Sequence, residues 1–152
     1  MQRRLALVAL PLALACGGRP ASQVPAPATM NDALTQFLDA VKAKDLKRMG
    51  QIWGTARGPA AQTMNDSILF KRVSVMQIYL RHDGYRIIEG PLPVPSEPDH
   101  RLFRVELQLG QCNRIQPIEV VQARRGGWFV ANVRLDSPNN LSTSCRPRGT
   151  AP

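Results

Sequence analysis

The residues able to do chemistry are few and scattered. Three cysteines, Cys16, Cys112 and Cys145, stand far apart, and no Cys-x-x-Cys pair poises two thiols for redox exchange. Two cysteines and two distant histidines show no ligand spacing, so neither a metal site nor a cofactor is expected. Tyr79, Asp83 and Tyr85 are the one close cluster suited to proton abstraction, a carboxylate between two phenols. Asp83-Gly84 reads as a turn, which leaves that carboxylate in water. The two tyrosines read as half-buried aromatics with a wet hydroxyl. His82 and His100 flank turns without a serine or cysteine nucleophile motif, and His82 beside Asp83 reads as a solvated loop pair. Glycine-rich phosphate loops and zincin motifs are absent from the sequence.

The N-terminus carries a clearer signal. Met1-Gln-Arg-Arg4 is a short positive segment, and Leu5 to Ala15 is an apolar run of eleven residues. As a helix that run spans roughly 16 Å, about half of a ~30 Å hydrocarbon core, so it suits a secretory signal better than a membrane span. It ends Ala13-Leu14-Ala15-Cys16, which resembles the lipobox read by the lipoprotein signal peptidase. The resemblance implies a signal peptide over residues 1–15, cleavage before Cys16, and lipid on its sulfur. Leucine rather than Ala13 is usual three residues before the cysteine. An ordinary signal peptide cut at the same bond would leave Cys16 incidental. Residue 17 is glycine rather than the aspartate of inner-membrane retention, so the resemblance places the chain in the cell envelope, at the outer membrane if there are two. Residues 16–28 then form the lipidated cysteine and a flexible tether, with three prolines in Gly17–Ala28 and a reach of up to ~37 Å.

Assigning Cys16 to lipid leaves an even pair. A Cys112–Cys145 disulfide would close a loop of 34 residues and stabilise by roughly 3–4 kcal/mol in the chain-entropy model. Two separated, reduced thiols are the alternative. Formal charge is +9, and +7 without Arg3 and Arg4. Such a surface suits anionic phospholipid, polyanionic glycan or an acidic partner. An exported location argues against nucleic acid, as does the lack of interleaved aromatic and basic residues.

About 120 residues remain for one domain, expected over 29–136. Thr29-Met-Asn-Asp32 resembles a capping box, and Met30, Ala33, Leu34, Phe37, Leu38 and Val41 then make one helical stripe to about Lys44. Asp45 caps a short second helix bearing Leu46, Met49, Ile52 and Trp53. A third helix is expected from Asn65 or Asp66 to Leu80, burying Leu69, Val73, Met76 and Leu80. The β-branched run within 68–80 leaves a strand open there. From Tyr85 the period becomes two. Strands are expected at Tyr85–Glu89, Arg101–Leu109, Ile115–Ala123 and Trp128–Leu135, with Gly90 to Pro98 a proline-rich loop and Pro117 at an edge or bulge. Arg124-Arg-Gly-Gly127 reads as a hairpin turn. A polar tail, 137–152, would be pinned by the disulfide.

The plan is α+β, two or three N-terminal helices packed on a curved antiparallel sheet of about four strands. Phe37-Leu-Asp-Ala-Val41, Lys44-Asp-Leu46 and Gly127-Trp-Phe-Val-Ala-Asn132 resemble motifs of the nuclear-transport-factor-two-like (cystatin-like) superfamily, in which a curved sheet wraps a long helix. That resemblance implies a conical pocket between sheet and helices, used for apolar ligands, catalysis or assembly. The expected function is a membrane-anchored, non-catalytic module for an envelope protein or an apolar small molecule. The alternatives are a small enzyme of ketosteroid-isomerase or polyketide-cyclase type, with Tyr79, Asp83 and Tyr85 as weak pocket candidates, and an inhibitor or immunity-type lipoprotein.

Overall fold

The structure, a computed structural model, describes residues 25–135 and 146–147. The segment 1–15, Cys16, Cys145 and all of the tail except Arg146 and Pro147 lie outside the described residues.

Helix α1 is Met30–Ala43. Its N-cap is Thr29, whose hydroxyl accepts from the Asp32 backbone N–H at 3.1 Å. Ala33, Leu34, Phe37, Leu38, Ala40 and Val41 recur at helical steps and are buried. Lys44 ends the helix in the left-handed conformation, and Asp45 starts α2 (Leu46–Ile52) by accepting from Arg48 N–H at 2.9 Å. Where the sequence shows only stops, the chain makes a two-residue ladder, β1 (Gly54–Thr55) with β2 (Gly58–Pro59), then one turn of helix, α3 (Ala60–Thr63). Helix α4 is Asp66–Leu80, capped by Asn65, whose side chain accepts from Ser67 N–H at 2.9 Å. The ambiguous 68–80 run is therefore helical. Val73, Met76 and Leu80 are buried, and Leu69 is half-buried.

Four strands follow as an antiparallel meander: β3 (Gly84–Val94), β4 (Glu97–Leu109), β5 (Cys112–Gln122) and β6 (Trp128–Asn132), side by side in that order. A short β7 (Arg146–Pro147) pairs with the start of β5. Helix α1 packs on β5 and β6, so its stripe meets the inward residues of the sheet in one core. Those residues are Phe103, Val105 and Leu107 of β4, Ile118 and Val120 of β5, and Val130 of β6. The α+β plan of helices followed by a four-strand sheet is thus as the residue patterns imply.

Three expectations need correction. The proline-rich stretch is not a loop: Pro91 and Pro93 lie within β3 and Pro98 within β4. Pro91 and Pro93 fit because β3 is the outermost strand, where a missing N–H breaks no ladder, and register shifts around Glu89 and Leu92 absorb the irregularity; Pro98 precedes His100, where β4 begins to pair with β5. The last strand stops at Asn132 rather than Leu135. A register shift at Glu119/Val120 puts Val130 in the main core while Phe129 joins Val121 and Ala123 in a second cluster on the other face. Beyond it Gln116 Nε2 donates to Val133 O, and Arg134 turns the chain away with φ 34°. Third, residues 25–28, expected as the end of a flexible tether, meet the domain. Pro27 is buried, and its carbonyl accepts from Trp128 N–H at 2.9 Å.

The hairpin turn read from Arg124 to Gly127 is present, with φ of 90° at Gly126 and 83° at Gly127. A Cβ on Gly127 would meet Ala26 Cβ at 2.5 Å, whereas one on Gly126 would meet nothing within 4 Å. Gly126→Ala should therefore cost only backbone strain, about 1–2 kcal/mol. Gly127→Ala should cost more and release the docked segment, seen as faster hydrogen exchange at the Trp128 amide. Equal denaturation midpoints for the two variants would show that the docking contributes nothing.

Candidate functional site

Helix α4 is apolar on more sides than it can bury. Its inward row packs on the other helices, chiefly α2, and Gln77 Nε2 ties it to α1 by donating to Val41 O at 3.3 Å. Its remaining surface leaves Ile68 (50%), Phe70 (61%), Val75 (46%), Ile78 (61%) and Tyr79 (47%) exposed. Ile68, Val75 and Tyr79 stand at steps of seven and four, so they form one stripe beside the buried row. Isolated exposed apolar residues are ordinary, whereas five large ones on one 15-residue helix, three of them in one stripe, are not.

Beside that stripe a groove of about 500 Å³ opens between α4 and the end of β6. Val75 and Met76 of α4 line one side. Ala131, Val133 and Leu135 line the other, with Trp53 between them and Lys71, Arg72 and Asn132 as its polar residues. Trp53 is fixed there by its indole N–H, which donates to Ala131 O at 3.3 Å. Among the described residues none that lines it is an acid, a histidine, a cysteine or a hydroxyl nucleophile. Such a site can bury apolar surface and attract an anion at Lys71 and Arg72.

Tyr79, Asp83 and Tyr85 do not line the groove beside α4. Tyr79 belongs to the exposed α4 stripe. Asp83 is exposed and accepts from Gly110 N–H at 2.7 Å, which fixes the β4–β5 turn. Tyr85 is half-buried, and its hydroxyl donates to Asp39 at 3.4 Å. Burial, then the Asp39 carboxylate, pushes the Tyr85 phenol upward. Between sheet and helices the core side chains named above pack together.

His82 differs from its expected role. It is buried rather than solvated, donates from Nδ1 to Leu80 O at 2.8 Å, and stands edge-on to Tyr85 at 5.5 Å. Arg114 donates to Tyr79 O and, at 3.4 Å, to Arg81 O, so two side chains satisfy carbonyls at the end of α4. Burial holds Arg114 below its usual range.

Residue spacing gave no hint of an ionic cluster at the far end of β4. Glu119 of β5 is 3% exposed, and its Oε1 accepts from both Nε and Nη2 of Arg134. His100 Nδ1 lies 2.7 Å from Glu97 and 3.6 Å from Glu119. One ligand atom from each of Glu97, His100 and Glu119 falls within 4.8 Å of the others, a set that could hold a divalent cation. Arg134 already supplies the charge that the buried carboxylate needs, so the group acts as a clasp holding the chain after β6 to β4 and β5. The register carries the only signal: Leu102 faces Glu119 and His100 faces Val121.

Cys112 begins β5, opposite Leu109 on one side and Pro147 on the other. Among the described residues no helix is long and apolar enough to cross a membrane.

The buried His82 yields a pH dependence. Burial is the largest cause lowering its pKa, with Lys42 and Arg114 adding to it and the Leu80 carbonyl and Asp39 opposing. The folded chain therefore resists a proton that the unfolded chain takes near 6.5. Stability from this group is complete above that pH and is lost as pH falls towards the folded value, at up to about 1.4 kcal/mol per unit. Urea denaturation from pH 7.5 to 5 should show a shallower fall for His82→Gln than for the wild type. Parallel curves would mean that His82 is not the sensing group.

Compared with family models, curated proteins and solved structures, the chain matches none of them.

Proposed function

We propose that this chain is a membrane-anchored lipoprotein of the cell envelope whose domain is a non-catalytic binding module. Its occupant is an apolar ligand or the apolar surface of a partner protein, received along α4 and in the groove beside it. The observation that carries this reading is the exposed stripe of Ile68, Val75 and Tyr79, continuous with a groove lined by Trp53, Met76 and Val133. A site of that size, apolar with two cations as its charged residues, favours binding over turnover. It supports the isomerase or cyclase alternative less, because no acid, histidine or hydroxyl nucleophile lines it. An inhibitor or immunity-type lipoprotein would use the same exposed stripe against a protein.

The anchor rests on the lipobox resemblance of Ala13-Leu-Ala-Cys16, and Gly17 favours the outer membrane. The nuclear-transport-factor-two-like plan is supported by the order of helices before a four-strand meander and by α1 lying on β5 and β6. Register shifts in β3 and β5 would curve such a sheet. For the Cys112–Cys145 disulfide, the support is the pairing of Pro147 with Cys112 and of Arg146 with Asn113, one residue from Cys145 in the chain.

Each part has its own test. Cys16→Ser should move the protein from the membrane to the soluble fraction, and unchanged retention would end the anchor reading. Peptide mapping without reductant should recover one peptide joining Cys112 to Cys145, and two free thiols would remove the bond. An apolar fluorescent probe should bind the wild type, with Val75→Asp weakening it by about tenfold or more and leaving the melting temperature within a few degrees. Equal binding by wild type and variant would place the apolar site elsewhere.

A further inference from the structure

A second hollow lies at the opposite end of β6 from the apolar groove, where the N-terminal segment meets the domain. Pro25 and Ala26 form part of its wall, and its volume is about 580 Å³. Three cations reach it from three elements: Lys47 from α2, Arg57 from the turn between β1 and β2, and Arg125 from the β5–β6 turn. All three are exposed. Among the described residues no aspartate or glutamate lines the hollow. Among the described residues the ion pairs involve other cations. Gathering three like charges without an acid opposes folding through repulsion, and an external anion relieves it.

We infer that this hollow is the membrane-facing surface of the domain and takes the phosphate of anionic phospholipid headgroups. The inference rests on the anchor at Cys16. From Cys16 to Pro25 is nine residues, a reach of at most about 28 Å at 3.1 Å per residue. A lipid on Cys16 therefore holds the wall formed by Pro25 and Ala26 close to the headgroups. The charge there complements phosphate diesters, and cations within a Debye length of an anionic surface add to binding. The apolar groove, beyond Ala131 on the same strand, is then left on the side away from the bilayer.

The test uses the full chain purified from membranes and placed on vesicles of phosphatidylglycerol or of phosphatidylcholine. The mass of the N-terminal peptide reports separately whether Cys16 carries lipid. Backbone hydrogen exchange over 47–62 and 124–127 should slow on phosphatidylglycerol and not on phosphatidylcholine. The triple variant Lys47→Gln/Arg57→Gln/Arg125→Gln should abolish that difference while exchange in α1 stays unchanged. With Cys16→Ser, affinity for phosphatidylglycerol vesicles should persist and fall roughly a hundred-fold in the triple variant. Protection that is equal on both vesicles, absent, or insensitive to the triple variant would overturn the inference. So would its loss on adding inorganic phosphate at matched ionic strength, which would mark a site for the free anion. Selective protection in a chain without lipid at Cys16 would uphold the hollow and sink the anchor.

Discussion

The fold depends on one matching of periods. Helix α1 offers a stripe with a period near 3.6, and strands β4 and β5 offer a face with a period of two. Leu34, Phe37, Leu38 and Val41 meet Phe103, Val105, Ile118 and Val120 in one dry cluster. Because α1 lies on β5 and β6, the sheet has little inward face left for a second long helix. Helix α4 therefore packs mainly on other helices, and Val73, Met76 and Leu80 are what it can bury there. The rest of its apolar surface has no place in the core. The exposed stripe follows from this arrangement, because α1 holds the contact with β5 and β6.

The stripe's energetics suit a weak binder helped by confinement. Its large side chains are already about half covered, so complete burial of each releases roughly 1 kcal/mol. Its three residues give about 3 kcal/mol, below the ~4–15 kcal/mol estimated as the rotational and translational cost of association. Adding Trp53, Met76 and Leu135 in the groove raises the sum without making it large. Under the proposed reading, tethering to a surface raises the effective concentration of any partner in the same membrane. A marginal apolar site then becomes sufficient, and a lipid-anchored module needs no large interface.

Much of this was legible in the sequence because it is local. Thr29, Asp45 and Asn65 announce their helices through side chains that can accept backbone N–H groups, and each does so. The alternation from Arg101 to Leu109 is legible for the same reason. What was not legible depends on partners distant in the chain. Proline in a strand is penalised only where a neighbour needs its N–H, and the sequence does not say that β3 is an edge. Glu97, His100, Glu119 and Arg134 meet only through register and a turn after β6. His82 was misread because Asp83 beside it is exposed, whereas its own ring turns under Leu80. The uncertainty over 68–80 carried information of its own. A run too apolar to show a helical stripe was a helix with more apolar surface than the core could take.

The two sheet edges narrow how a partner can bind. An unpaired edge strand invites addition of a foreign strand. On β3 the prolines at 91 and 93 remove two donors and the register shifts break the run, so a partner strand would find few consecutive hydrogen bonds. On β6 the outer edge is occupied: Pro27 O accepts from Trp128 N–H, and Trp53 bridges to Val130 in parallel. Trp53 serves twice there, since it also lines the apolar groove. Strand addition is thus disfavoured at both edges by different devices. What remains is recognition by side chains, and among the described residues its apolar part is concentrated on α4.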